Sequence, residues 1–434
     1  MLERKRPQCA HLVKDFEVPK FFLAKQTFKR PKLDAKDIPA DVQRQLSQEP
    51  FCSKVKPGMQ IAITCSSRGI ANQNITIKAI ADFCKSRGAI PFIVPAMGSH
   101  GNATAEGQRA ICESYGVTEE FCGCEIRSSM ETVKIGSNER GDVYIDKNAA
   151  QADGIILQCR IKPHTAFRGP YESGMMKMMT IGLGKQHGAE QIHQFGFGEF
   201  ARNLQLWGHT ILTNAPILTN APILFGVAAI ENAYDETARL AVVDSTKIEE
   251  TEPQLLKEAY SNMARIIPGT ADILIVDKIG KNYSGDGMDP NISGRFCTPY
   301  ASGGLDAERV CILDLCEETH NNANGMGLAD VITQRLLDKV DFDAGYTNTI
   351  TGGVLVTNFV PITMESDKEA IQLCIRTLIK GSKKRPRIVR IKNTMEIGEI
   401  LLSEAYLDEL EQYPELEQIG PLQELPFNEN GDLW

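Results

Sequence analysis

The sequence predicts an α/β protein of two domains, each built on a largely parallel sheet flanked by helices, with the active site in the cleft between them. Three observations lead there. Strand-like apolar runs alternate with helix-period segments, the βαβ pattern of a parallel sheet. At 434 residues the chain exceeds what one hydrophobic core usually holds. A Pro268-Gly269 turn separates two such series, giving domains at 1–268 and 269–394, with 395–434 packing back on the first.

In order, 59–65 (MQIAITC) reads as a strand, SSRGIANQN as a loop and 75–86 as a helix. A strand at 89–94 leads through PAMGSHGNATAEGQ into a helix over 105–115 with Thr104 as N-cap. A buried strand at 153–160 precedes a long Gly-rich loop, followed by strands at 224–230 and 240–244 and a helix over 252–266. The second series has strands at 272–277, 310–315, 354–359 and 388–391, with helices over 328–340 and 368–379. The acidic, amphipathic end (YLDELEQYPELEQ) reads as a solvated helix. A hexapeptide occurs twice in tandem in ILTNAPILTNAPILF, with no solenoid period around it, so a duplication and a local register slip are expected.

Composition narrows the function. A net charge of -9 disfavours nucleic acid or an anionic membrane as partner, and small-molecule chemistry is the better match. No run approaches the roughly 18 apolar residues of a membrane span, and the N-terminus has no apolar h-region, so a cytoplasmic protein is expected. The twelve cysteines are mostly singletons in apolar segments, suited to reduced, buried thiols; Cys122-Gly-Cys124 lacks the further ligands of a closed metal site.

Loops after parallel strands carry the sites of α/β proteins, and three of them carry chemistry here. The first offers Ser66, Ser67 and Arg68 before a helix start, where an anion would sit. The second offers His100 beside Gly98 and Gly101. The third, 159–198, gathers three of the seven histidines, five lysines or arginines and seven glycines: His164, Arg168, Ser173-Gly174, Lys177, Lys185, His187 and His193 stand in it. Singly, each has a plainer reading as a surface cation or a hydrogen-bonding loop histidine, and the paired methionines at 175–176 and 178–179 read as core. Together, histidines at two strand ends can face each other across a substrate held by Arg68, which suits a reaction on either face of a stereocentre.

These residues resemble the nickel-pincer-nucleotide lactate racemase family. Its S-x-T-R-P turn, A-T-G-x-H-R-x-x-T-x-E-E segment and H-x-x-A-G-[FY]-S-G-G-x-K loop look like Ser67-Arg68-Gly69, Ala96 to Glu106 with His100, and His164 to Lys177 with Ser173-Gly174. The family's later histidine, 16 residues after the lysine, is matched by His193. The resemblance implies Lys177 as covalent anchor of the nucleotide, with Arg68, Ser67, Ser173 and Gly174 around it. It implies His193 as nickel ligand and His100 and His164 as paired acid/base catalysts on a 2-hydroxy acid or sugar acid, with cofactor-biosynthesis proteins as partners and a homo-oligomer as an open option. A continuous helix from 177 to 193 would be about 24 Å long, too far for both ends to reach one cofactor. The chain must therefore fold back, and Gly182, Gly184 and Gly188 allow it.

Departures mark a divergent member. The family's Asp and Pro are Cys65 and Gly69 here, Met175 replaces a glycine, and the His-to-Lys spacing is 13 where the family has 10. His187 competes with His193 as ligand. The family's Tyr-Gln-x-x-Lys element is missing, and Lys281 and Tyr283 are its candidate substitutes for substrate contact. The leading expectation is a 2-hydroxy-acid racemase or epimerase working by hydride transfer to the nickel-pincer nucleotide. The alternative is a member that binds a nucleotide or organic acid without this catalysis. A nucleotide-linked dehydrogenase is disfavoured, since no G-x-G-x-x-G follows an early strand.

Overall fold

The computed structural model describes residues 9–218 and 221–434 and resolves into two compact units. Lys29–Met263 forms one; Ala264–Trp434, with the described residues before Lys29, forms the other. Strand β1 (Phe21–Gln26) explains this division. It pairs antiparallel with a strand near the chain's end, in register from Phe21↔Ser403 to Lys25↔Glu399. Phe22 and Ala24 enter one core and Phe21 the core on the other face. The start of the chain and residues 395–434 thus lie in the Ala264–Trp434 unit, where the sequence reading had set both with 29–268.

The Lys29–Met263 unit is organised on β2 (Gln60–Cys65), β3 (Ile90–Pro95), β6 (Gly154–Arg160), β7 (Ile223–Glu231) and β8 (Thr237–Asp244), in sheet order β3-β2-β6-β7-β8. The first four run parallel and β8 is antiparallel to β7. Helices at Gln73–Ser86, Ala105–Ser114, Phe200–Leu218 and Ile248–Asn262 accompany them. All four methionines of the third loop, Met175, Met176, Met178 and Met179, lie in one of its two apolar cores, which accounts for them as packing. A separate hairpin of β4 (Thr132–Asn138) and β5 (Gly141–Asp146) was not anticipated. Its buried Ile135, Val143 and Ile145 alternate with polar residues, a signal the sequence did carry. The helix Phe200–Leu218 runs through the first ILTNAP copy, and residues 219–220 of the second lie outside the described residues. Just beyond, the β6–β7 register shifts between Ile155 and Ile156.

In the Ala264–Trp434 unit, β9 (Thr270–Ile279), β10 (Asp306–Leu315), β11 (Val331–Thr333), β12 (Ile362–Met364), β13 (Ile388–Ile391), β14 (Glu399–Ser403) and β15 (Leu416–Gln418) join β1 in the order β12-β11-β10-β9-β13-β14-β1-β15. Strands β9 to β13 are parallel. The helix expected over 328–340 is β11 followed by Gln334–Lys339, because Val331-Ile332-Thr333 favours extended backbone and the Thr333 hydroxyl caps the helix by accepting from Leu336 N–H. The strand expected at 354–359 is a single turn, Leu355–Asn358, following the helix Phe342–Gly352. The terminal helix is two short turns and β15, since Pro414 cannot continue a helix. Among the described residues no helix is long and apolar enough to cross a membrane.

Candidate active site

The segment after β6 builds the site. Met175–Lys177 makes one helical turn, Met178–Gly182 a wider π-type turn, and Lys185–His193 a helix in a new direction. Gly184 permits the bend, because a Cβ there would sit 2.2 Å from the Thr180 carbonyl oxygen. The left-handed residue at the bend is Lys185 itself, at φ 54°. The chain therefore changes direction between Lys177 and His193, as a cofactor shared by the two would need.

Lys177, His164, His193, Arg68 and Arg168 come together. Burial and the positive charges of Lys177, Arg68, His193 and Arg168 push the His164 imidazole well below the usual histidine range. Burial and Arg68 bring the Lys177 ammonium down to about 7, against a weak opposing pull from Glu172. Burial likewise lowers His193. The apolar surroundings are visible: the His164 ring lies 4.4 Å from Phe167, and His193 lies 4.9 Å from Phe200 and 6.2 Å from Phe197. Both imidazoles are thus neutral near pH 7, and their hydrogen bonds give them opposite tautomers. His193 Nδ1 lies 2.6 Å from the Ala189 carbonyl oxygen, so Nδ1 carries the proton and Nε2 keeps its lone pair. His164 Nδ1 accepts from Ala166 N–H at 3.1 Å, so its proton is on Nε2.

Two buried carboxylates that the sequence reading missed shape the pocket. Glu172 accepts from His164 N–H at 2.6 Å, from Gly169 N–H at 3.3 Å and from the Tyr260 hydroxyl at 2.9 Å. The residues that lengthen the His-to-Lys span are folded around it. Glu252, raised to about 7 by burial, accepts from Met176 N–H at 2.9 Å. A Cβ on Gly174 would fall 2.3 Å from Glu252 Oε1, so a larger residue there would push this carboxylate aside. Glu172 stands out in sequence as a charge inside an apolar, Gly-rich loop; Glu252 gives no such sign within its acidic helix.

Arg68 is exposed yet acts on both His164 and Lys177. The Ser67 carbonyl accepts from the Tyr115 hydroxyl at 3.1 Å. Ser173 exchanges backbone hydrogen bonds with Lys162. His100 is exposed, and its loop packs on Ile181, Gly182 and Ala189. The His187 ring lies 4.1 Å from that of Tyr144 and borders a hollow of about 280 Å³ with Met130, Gln186, Glu190 and Gln191. In the Ala264–Trp434 unit, Lys281 N–H donates to Thr319 Oγ1 at 3.1 Å, and burial beside Cys316 raises the Tyr283 phenol to about 12.

Residues 55–288, which are 234 of the 434, match the family described as a domain of unknown function, DUF362. The chain belongs to DUF362. No curated protein matches it. Among solved structures, the lactate racemase apoprotein from Thermoanaerobacterium thermosaccharolyticum is similar to this DUF362 chain with a TM-score of 0.51 at 16% identity, over 86% of this chain and 94% of that one. At that identity the likeness shows a shared fold.

Proposed function

We propose that this DUF362 protein is an isomerase, a racemase or epimerase of a 2-hydroxy acid or sugar acid, that works with a nickel-pincer nucleotide. The observation that carries the reading is the meeting of Lys177, brought to about 7, with His164 and His193 beside the rings of Phe167 and Phe200. The residues fit the cofactor. A lysine near 7 is substantially neutral at physiological pH and is a competent covalent anchor. His193, with Nδ1–H bonded to a carbonyl and Nε2 holding its lone pair, has the arrangement of a metal-ligating histidine. Among the described residues no group of three or more His, Cys, Asp or Glu is placed to hold a metal, so most ligands would have to come from the bound organic group.

When bound, that group would supply nickel and a ring able to take and return the C2 hydride. The chain's own residues do the rest. Arg68 holds an anion beside Lys177, either the substrate carboxylate or a cofactor phosphate. His164, carrying its proton on Nε2, donates toward the substrate oxygen, while His100 takes or returns the 2-hydroxyl proton. Phe167 packs on the His164 ring and Phe200 on one side of His193, which keeps an exposed side. The test is isotopic. With cofactor-loaded protein, a 2-deuterated hydroxy acid should racemise with its deuterium retained, and washout of that deuterium into solvent would rule out hydride return.

A further inference from the structure

Behind the pocket lies a buried polar network with no part in the chemistry described so far. Lys185, Asp146 and Gln108 are each 0% exposed. The Lys185 ammonium donates to the carbonyl of Pro95, the last residue of β3, and to Gln108 Oε1 at 3.1 Å, and it pairs with Asp146 Oδ2 at 3.1 Å. Gln108 then spends both its N–H groups on the loop that follows β3: Nε2 donates to the Gly98 carbonyl at 2.8 Å and to the His100 carbonyl at 3.2 Å.

The order of these bonds is directional. A glutamine amide presents one acceptor and two donors, and at this burial it cannot exchange them at no cost. Because the ammonium faces Oε1, the N–H end must face the loop. The loop needs such an anchor. Gly98, Gly101, Asn102 and Ala103 all take positive φ, between 51° and 66°, and the two non-glycine residues among them are strained there. Lys185 is also the first residue of the helix that ends in His193, so the network fastens the His100 backbone to the element carrying the other histidine.

We propose that Lys185 is a positioning residue: held by Asp146 and acting through Gln108, it sets where His100 stands. That His100 performs chemistry rests on the function proposed above; that its loop is held by this network does not.

Gln108→Glu separates the two parts. The carboxylate keeps the acceptor toward Lys185 and the side chain's size, and loses both donors to the loop. In the cofactor-free protein, amide hydrogen exchange in 98–104 should quicken about tenfold or more with β6 unchanged. The double variant Asp146→Leu/Lys185→Met, which removes the ion pair as a unit, should give the same loop response. In the unaltered protein the Gln108 side-chain amide protons should exchange slowly by NMR. In loaded protein, Gln108→Glu should lower kcat by about tenfold or more with KM little changed, the pattern of a misplaced catalytic group. Unchanged loop protection in whichever variant folds, or a rapidly exchanging Gln108 amide in the unaltered protein, would overturn the proposal. A loop response in protein that racemises nothing would leave the positioning in place and remove the functional reading.

Discussion

Lys177 and Lys185 stand eight residues apart in one segment, and the chain treats them in opposite ways. Lys185 is sealed against Asp146, Gln108 and a carbonyl. Burial lowers it, and Asp146 opposes that fall. Lys177 sits among Arg68 and two imidazoles with Glu172 pulling the other way, and it falls to about 7. A buried lysine given a carboxylate becomes part of the frame. One buried beside Arg68, with a weaker carboxylate pull, is brought near neutrality, at a cost to the fold.

Substitutions can sharpen or break this contrast. The largest effects should fall on turnover: in loaded protein, Lys177→Ala should abolish it, while His164→Ala and His100→Ala should each lower it roughly 10²-fold or more, the usual scale for losing a general acid or base. Full activity in His100→Ala would remove the second histidine from the account. Next is Lys185→Met alone, which strands the Asp146 carboxylate and should cost about 3–5 kcal/mol in denaturant unfolding, with most of that recovered on adding Asp146→Leu. Lys177→Met should do the reverse and stabilise the protein by roughly 1–2 kcal/mol at pH 7, since it relieves an uncompensated cation.

The pH dependence follows from proton counting. Lys177 has a folded value of about 7 against an ordinary 10.5, so between them the unfolded chain binds more protons and the Lys177 contribution to stability rises with pH. The difference between wild type and Lys177→Met should therefore be greatest below about pH 7 and shrink toward pH 10. A constant difference would mean an ordinary lysine. The smallest effect belongs to Glu252, raised to about 7 from 4.5. Its favourable contribution is complete below 4.5 and is lost as pH rises through 7, so Glu252→Gln should gain on wild type by about 1 kcal/mol or less between pH 5 and 8 in thermal melts.

The same contrast explains what could be read from sequence. Lys177, His164 and His193 were legible because glycine and histidine concentrate in one loop after an apolar strand, and because a spacing of 16 demands a bend. The frame was not. Lys185 meets Asp146 across 39 residues and Gln108 across 77, and no local pattern announces such a pairing. The strand β1 finds its partner near residue 400, so its place in the second unit was equally hidden. Strands β11, β12 and β15 have three residues each, too few to show a period of two, and two of them were absorbed into expected helices. Spacing favoured His193 over His187, and the two rings take different neighbours, Phe200 for His193 and Tyr144 for His187.

The central claim is that Lys177 anchors a nickel-bearing nucleotide with His193 as its protein ligand. Co-expression of the chain with the enzymes that make the cofactor, followed by intact mass and nickel analysis, tests it most directly. The account predicts about one nickel per chain and a mass increase that maps to Lys177, both lost in Lys177→Ala, with nickel alone depleted in His193→Ala. Protein recovered from that co-expression with an unmodified Lys177 and no nickel would contradict it.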